Sequence, residues 1–559
     1  MDESTPVSRS GAKPSSVQGT EWEAPDLPRR AVMLTLGGVM LAMFLASLDQ
    51  TIVATALPRI VADLGGFDRF TWITTAYIVA STSVVPLAGS VADVYGRKWL
   101  YVAGIVVFLG GSVLSALSGT MDQLIVARAV QGLGGGTMMA LSFVTIGDLF
   151  PPSERGKYQG IIAGMFGISS VLGPTIGGFV TDHLSWHWIF YINIPLGIPV
   201  VLMFIRFFPH SKPSHRRRID WVGAALMVLG IVPGLLAISI GGNRNHWTEA
   251  RVIAMFAVSA VALPAFVWWG LHAKDPILPF IIFKNRVVAV SMIVIFLTGF
   301  AMFGAITFIP LMFQGVLGDS ATASGSFLTP MMLGIVAGAA LSGQVLSRTG
   351  GRYRIQGVIG LIIMSAGIGL LSTISADTGR ATALTGAIVM GFGLGTTFPL
   401  FTIAVQNAVD YKFLGVATSS TQFFRSIGGS VGLAIFGTVL TNRFSHNVDA
   451  NVSAEVKNVL GSEVLNQLAK SPNALVAPNA LDQLNAAFAS AGDAAPRLSA
   501  DFLETLRVAL ANSIGDIFKM ALVLILLALV GTLFLKEIPL KRRTKPGTGD
   551  EPKMPVVEI

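Results

Sequence analysis

The chain has 559 residues, of which 52% are hydrophobic and only 13% are charged, and its mean hydropathy is +0.67. Soluble domains carry about 25% charged residues, so this composition excludes an ordinary soluble domain and indicates a polytopic membrane protein. There is no cysteine, which excludes disulfides and thiolate metal sites. The net charge is +8, and the basic residues lie in loops beside apolar spans, which argues against a nucleic-acid-binding protein.

Long apolar stretches follow a polar tail at residues 1–30, which is predicted to be disordered and lacks the order of a cleavable signal peptide. A membrane-spanning helix needs about 20 apolar residues. By that rule the sequence predicts fourteen spans, near residues 32–57, 71–92, 99–118, 122–147, 158–181, 187–208, 220–240, 251–271, 287–314, 323–346, 355–373, 381–405, 415–441 and 513–535.

Basic residues in the short loops predict the orientation. With the N-terminus inside, the short inner loops contain most of the Lys and Arg, whereas the short outer loops contain only Arg59, Arg69, Arg244, Arg251 and Arg380. Inner loops are the basic ones in membrane proteins. We therefore expect a multi-pass protein of the plasma membrane with both termini in the cytoplasm, including a tail at 541–559.

An internal repeat predicts the domain organisation. "GSVADVYGRK" after the second span has a weaker echo, "GQVLSRTGGRYR", after the tenth, and such echoes are typical of transporters with duplicated halves. The expected domains are an N-terminal six-helix bundle at 31–210, two linker helices at 211–275 and a C-terminal bundle at 276–540. Residues 442–512, before the last span, are polar and partly helix-patterned, which fits a small external cap, extended helix ends or a flexible loop.

Asp49 is an acid inside the first span, where a charge costs roughly 2.5–3.5 kcal/mol, so such residues are usually functional. It lies nine residues before Pro58, roughly 13 Å deep, and Arg128 lies roughly 10 Å deep in the fourth span by the same rise. An acid and a base at one depth are expected to pair or to share a proton pathway. Our hypothesis is that Arg128 tunes the proton affinity of Asp49; the alternative is a static ion pair that fixes packing.

The loop after the second span predicts a gate at the cytoplasmic side. Gly89 and Asp93 end the span, and Gly96, Arg97 and Lys98 follow in a tight turn. Glycine permits close approach and positive φ, and Asp93 can accept hydrogen bonds from a helix N-terminus or pair with Arg97. The alternative is a generic basic loop.

The fifth span is rich in glycine around a proline. Gly173 and Gly177 have the spacing that lets membrane helices approach closely, and Pro174 can kink the helix. With Gly167 and Gly178, this pattern predicts a kinked gating helix, or ordinary glycine-rich packing.

Arg425 lies near mid-depth of the thirteenth span, where it must face a cavity or a partner. It can bind anionic substrate groups or hold a helix end, and both remain open. Other polar residues that are candidates for lining a central cavity are Gln131, Gln314, Gln406, Asn407 and Gln422; the alternative for each is hydrogen bonding between helices, and for Phe424 plain packing is favoured.

These motifs resemble a known family. "GSVADVYGRK", "RAVQGLGGG" and "GISSVLGPTIGG" are similar to the loop 2–3, helix 4 and helix 5 signatures of the major facilitator superfamily, and "LDQTIVATALP", "WHWIFYINIPLG" and "QFFRSIGGSVG" resemble its fourteen-helix drug:proton antiporters. The resemblance implies an all-α membrane fold of two six-helix bundles plus two inserted helices, alternating access and proton-coupled export. It also implies that Asp49 takes part in coupling and that Asp93 and Arg97 take part in a cytoplasmic gate.

Two departures shape the functional prediction. The second loop motif has Ser347 where the first has Asp93, so the two inner gates should differ. Intramembrane acids other than Asp49 are scarce, which disfavours dicationic substrates because a desolvated cation needs a partner. Neutral or amphiphilic compounds, monocations and lipid-like molecules remain open.

The sequence therefore predicts a monomeric antiporter in the lipid bilayer that exports drugs or amphiphilic small molecules and uses a proton gradient, with no cofactor or metal. One alternative is an exporter of lipids or large amphiphiles for the cell envelope, and another is a non-transporting receptor or scaffold. No catalytic motif or P-loop is present, so the chain is not expected to be an enzyme.

Overall fold

The computed structural model describes residues 28–65, 69, 71–208, 219–244, 247–318, 321–376, 378–469, 488 and 494–540. Nearly all of the predicted tail at 1–30, and all of the tail at 541–559, lie outside these residues. Every regular element in the described residues is a helix. The α-helices are α1 (Arg29–Leu64), α2 (Thr71–Tyr95), α3 (Arg97–Ala116), α4 (Met121–Leu149), α5 (Pro152–His183), α6 (Trp188–Tyr191), α7 (Asn193–Phe207), α8 (Trp221–Arg244), α9 (Ala250–His272), α10 (Arg286–Gly315), α11 (Ala321–Arg348), α12 (Tyr353–Ser372), α13 (Arg380–Ala408), α14 (Leu414–Asn451), α15 (Ala454–Ala469) and α16 (Ala495–Leu533).

Fourteen stretches of the described residues are helical, long and apolar enough to cross a membrane. The short α6 and α7 together form one of them, Trp188–Phe207, and α15 is not among them. The predicted all-α fold with fourteen transmembrane helices is confirmed.

The helices pack in two groups. We call α1–α7 the N-terminal group and α10–α14 with α16 the C-terminal group, because the most extensive packing is within each set. The groups meet mainly where α2 packs against α14 and where α5 packs against α11. Helices α8 and α9 pack on each other, and α8 also contacts α2 and α14. We call the end of the bundle that holds Arg97, Arg155 and Arg348 the basic end, and the opposite end the distal end.

The distal end carries an extension that belongs to the C-terminal group. Helices α14 and α16 have 38 and 39 residues, so each is roughly 57 Å long and exceeds the hydrocarbon core of about 30 Å. Their extended ends and α15 share an apolar core that includes Val448, Val456 and Phe502. Arg507 of α16 donates two hydrogen bonds, of 3.0 and 2.7 Å, to the carbonyl oxygen of Val316 at the end of α10. In its described part, the segment at 442–512 thus consists of extended helix ends and one short helix.

Candidate functional site

Asp49 lies near the middle of α1, where the surrounding residues are almost all apolar and mostly buried. A helix that is apolar all round is stable between other helices, and none of the surface of Asp49 is exposed. Arg128 of α4 is also buried, and its Nη1 donates a 2.6 Å hydrogen bond to Asp49 Oδ2. The structure therefore brings together the acid and the base that the sequence places at one depth.

Two amides complete the hydrogen bonding of the carboxylate. Gln131 Nε2 donates to Asp49 Oδ1 at 2.7 Å, while Gln131 Oε1 accepts from Arg128 Nη1 at 2.6 Å. Asn193 Nδ2 of α7 donates to the same Asp49 oxygen at 2.9 Å. Asp49 thus accepts three hydrogen bonds, which is what an ionised carboxylate needs when it is held away from water. Gln131, a candidate for lining a cavity, is fully buried in this cluster instead.

Ser112 of α3 is hydrogen-bonded to both amides. Its Oγ accepts from Gln131 Nε2 at 3.1 Å and from Asn193 Nδ2 at 2.8 Å, and it donates to the carbonyl oxygen of Phe190 at 3.0 Å. Sequence reasoning missed Ser112 and Asn193, although Asn193 stands within the quoted "WHWIFYINIPLG". We call Asp49, Ser112, Arg128, Gln131 and Asn193 the Asp49 cluster; it joins α1, α3, α4 and α7.

Two polar atoms of the Asp49 cluster have no hydrogen-bond partner among the described residues: Arg128 Nε and Asn193 Oδ1. The guanidinium carbon of Arg128 lies 4.5 Å from the centroid of the Tyr77 ring, so the ring faces the cation. A protonated Asp49 would gain one O–H donor, and Asn193 Oδ1 is an acceptor in the same cluster. Turning the Asn193 amide over would bring this oxygen to the position from which Nδ2 now donates to Asp49.

Helix α5 packs directly against the part of α1 that follows Asp49. A Cβ at Gly173 or Gly177 would overlap the side chain of Thr51 or Thr55, so these glycines permit the close approach of α1 and α5. Thr51 Oγ1 also donates to the carbonyl oxygen of Ser169 at 3.0 Å.

The other candidate residues of α5 lie elsewhere on that helix. Gly167 faces Val336 of α11 in the C-terminal group, and a Cβ at Gly178 would meet no atom within 4 Å. Pro174 is half-buried inside the helix. The candidate residues of α5 are thus divided between two different neighbours and open space.

The loop between α2 and α3 connects the two groups at the basic end. Arg97 donates to Asp93 Oδ1 at 3.2 Å and forms an ion pair with Asp148 near the end of α4. Asp93 Oδ2 accepts a 3.1 Å hydrogen bond from the backbone N–H of Val416, in the first turn of α14. A carboxylate at this position satisfies a free donor and complements the helix dipole. Gly96 turns the chain with φ +86°.

Gly89 and Lys98 were also predicted to belong to the gate at this loop. A Cβ at Gly89 would overlap Ser419 of α14, so this glycine permits the close crossing of α2 and α14. Lys98 is buried in the first turn of α3, and its Nζ lies 5.8 Å from the centroid of the Trp99 ring.

A second contact between the groups lies at the start of α5. Arg155 donates to the carbonyl oxygens of Phe150 and Gly147 at the end of α4, and its Nη1 donates to Gln406 Oε1 of α13 at 3.2 Å. Gly156 and Gly343 of α11 are so close that a Cβ on either would overlap the other. These contacts close the basic end between the groups. Gln406, a candidate for a central cavity, belongs to this closed contact.

The loop between α11 and α12 is built differently from its counterpart. Ser347 is exposed and its Oγ donates only to the carbonyl oxygen of Gln344 on its own helix. The chain after α16 lies against this loop instead: Tyr353 Oη donates to the carbonyl oxygen of Lys536 at 3.0 Å and accepts from the N–H of Ile538 at 2.5 Å.

Asn407 supports the same segment. Its amide donates to the carbonyl oxygens of Ile538 and Pro539 at 3.3 and 3.1 Å, so it holds the chain after α16 at the basic end. This position does not fit the cavity-lining role that the sequence suggested. We call residues 535–540 the C-terminal strap.

Arg425 is buried in α14, and its Nη1 donates to Gln422 Oε1 at 2.8 Å. Its guanidinium carbon lies 3.6 Å from the centroid of the Phe398 ring of α13. Phe424 packs among apolar residues, as favoured by the sequence. Gln314 is half-buried in the last turn of α10, at the distal end and away from the other candidates.

An all-helical membrane protein with two packed groups and a buried acid–base cluster in one of them has the architecture of a transporter. The chain belongs to the Major Facilitator Superfamily, whose family model matches residues 39–433. This confirms the predicted family and the prediction of a transporter rather than an enzyme.

Two relatives come from Bacillus subtilis (strain 168). The chain is 36% identical over 529 residues to "Multidrug transporter protein MdtP", covering 92% of this chain and 94% of the relative. It is 38% identical over 504 residues to "Multidrug resistance protein 3", covering 90% and 95%. A solved structure of the human organic anion transporter MFSD10 superposes with a TM-score of 0.57, covering 89% of this chain and 100% of the other at 13% identity. At that identity the likeness shows the fold alone.

Proposed function

We propose that the protein exports hydrophobic or amphiphilic small molecules from the cell in exchange for protons, by alternating access between the two groups. The names of the two bacterial relatives support the class of cargo. The excess of basic residues at the basic end supports the proposal that this end is cytoplasmic. With that end closed, the structure corresponds to a state that opens outward.

The observation that carries the proposal is the Asp49 cluster. Asp49 is the only acidic side chain among the buried residues of the described chain, and it accepts hydrogen bonds from Arg128, Gln131 and Asn193. Protonation removes its charge and its attraction for Arg128, and the free oxygen of Asn193 can accept the new O–H. Proton binding would therefore weaken the contacts through which Asp49 joins α1 to α4 and α7.

The test is transport of the neutral dye Nile red by the purified full chain in proteoliposomes with an imposed pH gradient. Asp49→Asn is expected to abolish gradient-driven transport while Nile red still binds, because the amide keeps the shape but cannot take up a proton. Asp122→Asn is the matched control: this acid is exposed and pairs with Arg69. Unchanged gradient-driven transport in Asp49→Asn would disprove the coupling role.

The distal extension favours a second candidate, an exporter of lipids or large amphiphiles. Extended ends of α14 and α16 with an apolar core are too long for the hydrocarbon region alone, which supports a role in receiving lipid-like cargo. Replacing residues 453–494 by a short flexible linker should impair export of a labelled lipid and spare Nile red. If Nile red transport falls equally, the extension is a folding element. If neither cargo moves in the unmodified chain, the receptor or scaffold interpretation is favoured.

A further inference from the structure

Arg425 is a second buried charge that the Asp49 cluster does not use. It lies eleven residues after the start of α14, so it is roughly 16 Å from the basic end and close to mid-membrane. Only 4% of its surface is exposed. An arginine at that depth in a membrane protein normally faces a partner or a cavity, because its charge is otherwise unfavourable.

The partners of Arg425 in the described residues are all neutral. Nη1 donates to Gln422 Oε1 at 2.8 Å, and Nη2 makes a long contact of 3.4 Å with the carbonyl oxygen of Phe398. That carbonyl lies within α13, so Arg425 does not hold a helix end. No carboxylate of the described chain forms an ion pair with it. A guanidinium has five N–H donors, and most of them remain available.

The surroundings hold Arg425 in place close to the interface between the two groups. A Cβ at Gly299 of α10 would overlap the backbone carbonyl of Arg425, so α10 supports the backbone from behind. The guanidinium stacks on Phe398, whose ring centroid lies 6.0 Å from that of Phe143 in the N-terminal group. Alternating access separates and rejoins the two groups, so a ligand reaches this stack where the groups part.

We propose that Arg425, Gln422 and Phe398 form the recognition site for a negatively charged head group, and that the cargo includes amphiphiles with one anionic group on an apolar body. This proposal deepens the proposed export function and rests on it. Arginine donors match carboxylate, sulfonate or phosphate oxygens, and the rings of Phe398 and Phe143 suit the apolar body. A cationic head group finds no equivalent, since the buried acid Asp49 is already paired with Arg128.

The test uses three probes that share one body and differ in the head group: a dansyl-labelled eleven-carbon chain that ends in an anionic sulfonate, a neutral primary amide or a cationic trimethylammonium group. Dansyl fluorescence measures binding to the full chain in detergent, without a proton gradient. We expect the sulfonate to bind at least about tenfold more tightly than the amide, as for a hydrogen-bonded charge, and the ammonium to bind most weakly. Equal binding of the three probes, or tighter binding of the ammonium, would overturn the proposal.

Variants then assign the preference to Arg425. Arg425→Gln should reduce sulfonate binding about tenfold and leave amide binding within about twofold, because only the charge-assisted hydrogen bonds are lost. Arg425→Lys keeps the charge and should retain part of the preference. Arg443→Gln, on the same helix but exposed at the distal end, is the control. If Arg425→Gln weakens both probes equally, or neither, Arg425 is not the recognition residue.

The same probes separate this proposal from proton coupling. Binding is measured at equilibrium, so it reports on the Arg425 site even if Asp49→Asn leaves transport unchanged. Conversely, a chain that couples transport to protons but binds the three probes equally refutes the anion site alone.

Discussion

Arg128 and Arg425 are both buried arginines in membrane-spanning helices, one in each group, and their surroundings differ. Arg128 donates to a carboxylate and a carboxamide in a cluster that joins four helices, whereas Arg425 has an aromatic ring and neutral acceptors. Removing one partner of a buried pair is strongly destabilising because the other charge is left uncompensated, and a buried charge without an ionic partner is itself unfavourable. The charge of Arg128 is therefore compensated within the N-terminal group, whereas no acid of the described residues compensates that of Arg425.

The largest change in stability is expected when each arginine is removed in turn. Arg128→Met leaves Asp49 buried without a counter-charge and should lower the free energy of unfolding by about 3–5 kcal/mol. The double variant Asp49→Asn/Arg128→Met should recover most of that loss, because no charge remains. Arg425→Met leaves no buried charge behind and should be neutral or stabilising. Thermal unfolding of the purified variants measures all three, and equal losses at the two arginines would remove the distinction.

The two loops at the basic end offer a smaller test. Asp93→Ser gives the first loop the residue of the second, and removes the acceptor of the Val416 N–H together with the partner of Arg97. A hydrogen bond to a charged group contributes about 1.5–3 kcal/mol, so hydrogen exchange at Val416 should accelerate by roughly 10- to 100-fold. Ser347→Ala in the second loop is the control and should leave exchange unaltered. Unchanged exchange in Asp93→Ser would show that this carboxylate does not hold α14.

The smallest effect is expected at the C-terminal strap. Tyr353→Phe removes a hydroxyl that donates to Lys536 and accepts from Ile538. The loss should be about 1 kcal/mol, seen as roughly fivefold faster hydrogen exchange at Ile538 and little change at Val416. Should exchange at Val416 rise as well, the two loops would be coupled rather than independent.

Much of the fold followed from the sequence because the bilayer imposes a length on every span, which makes fourteen helices countable. The depth of Asp49 and Arg128 was also readable, since rise per residue is fixed. The direction in which a side chain points around the helix axis cannot be read from the sequence in this way, so Ser112 and Asn193 were missed. Burying a neutral polar side chain in a membrane span costs far less free energy than burying a charge, so these two residues did not stand out. Only the packing of α3 and α7 shows that they face Asp49.

Gln406 and Asn407 are residues that the sequence singled out but assigned to the wrong surroundings. Both are polar residues at the end of a span, and the sequence offered a cavity as their common surroundings. In the structure Gln406 contacts Arg155 of the other group, and Asn407 holds the C-terminal strap. Neither partner can be found by periodicity, because Arg155 is separated by a whole half of the chain and the strap is extended rather than helical.

The position of the C-terminal strap also has a consequence for biosynthesis. Tyr353 and its partner Lys536 are 183 residues apart in the chain. At about 5–20 residues per second, the loop after α11 is synthesised roughly 10–40 s before its partner. During that interval the Tyr353 hydroxyl must be satisfied by water, lipid head groups or the insertion machinery, so the second half of the protein completes its folding only after the last span has been inserted.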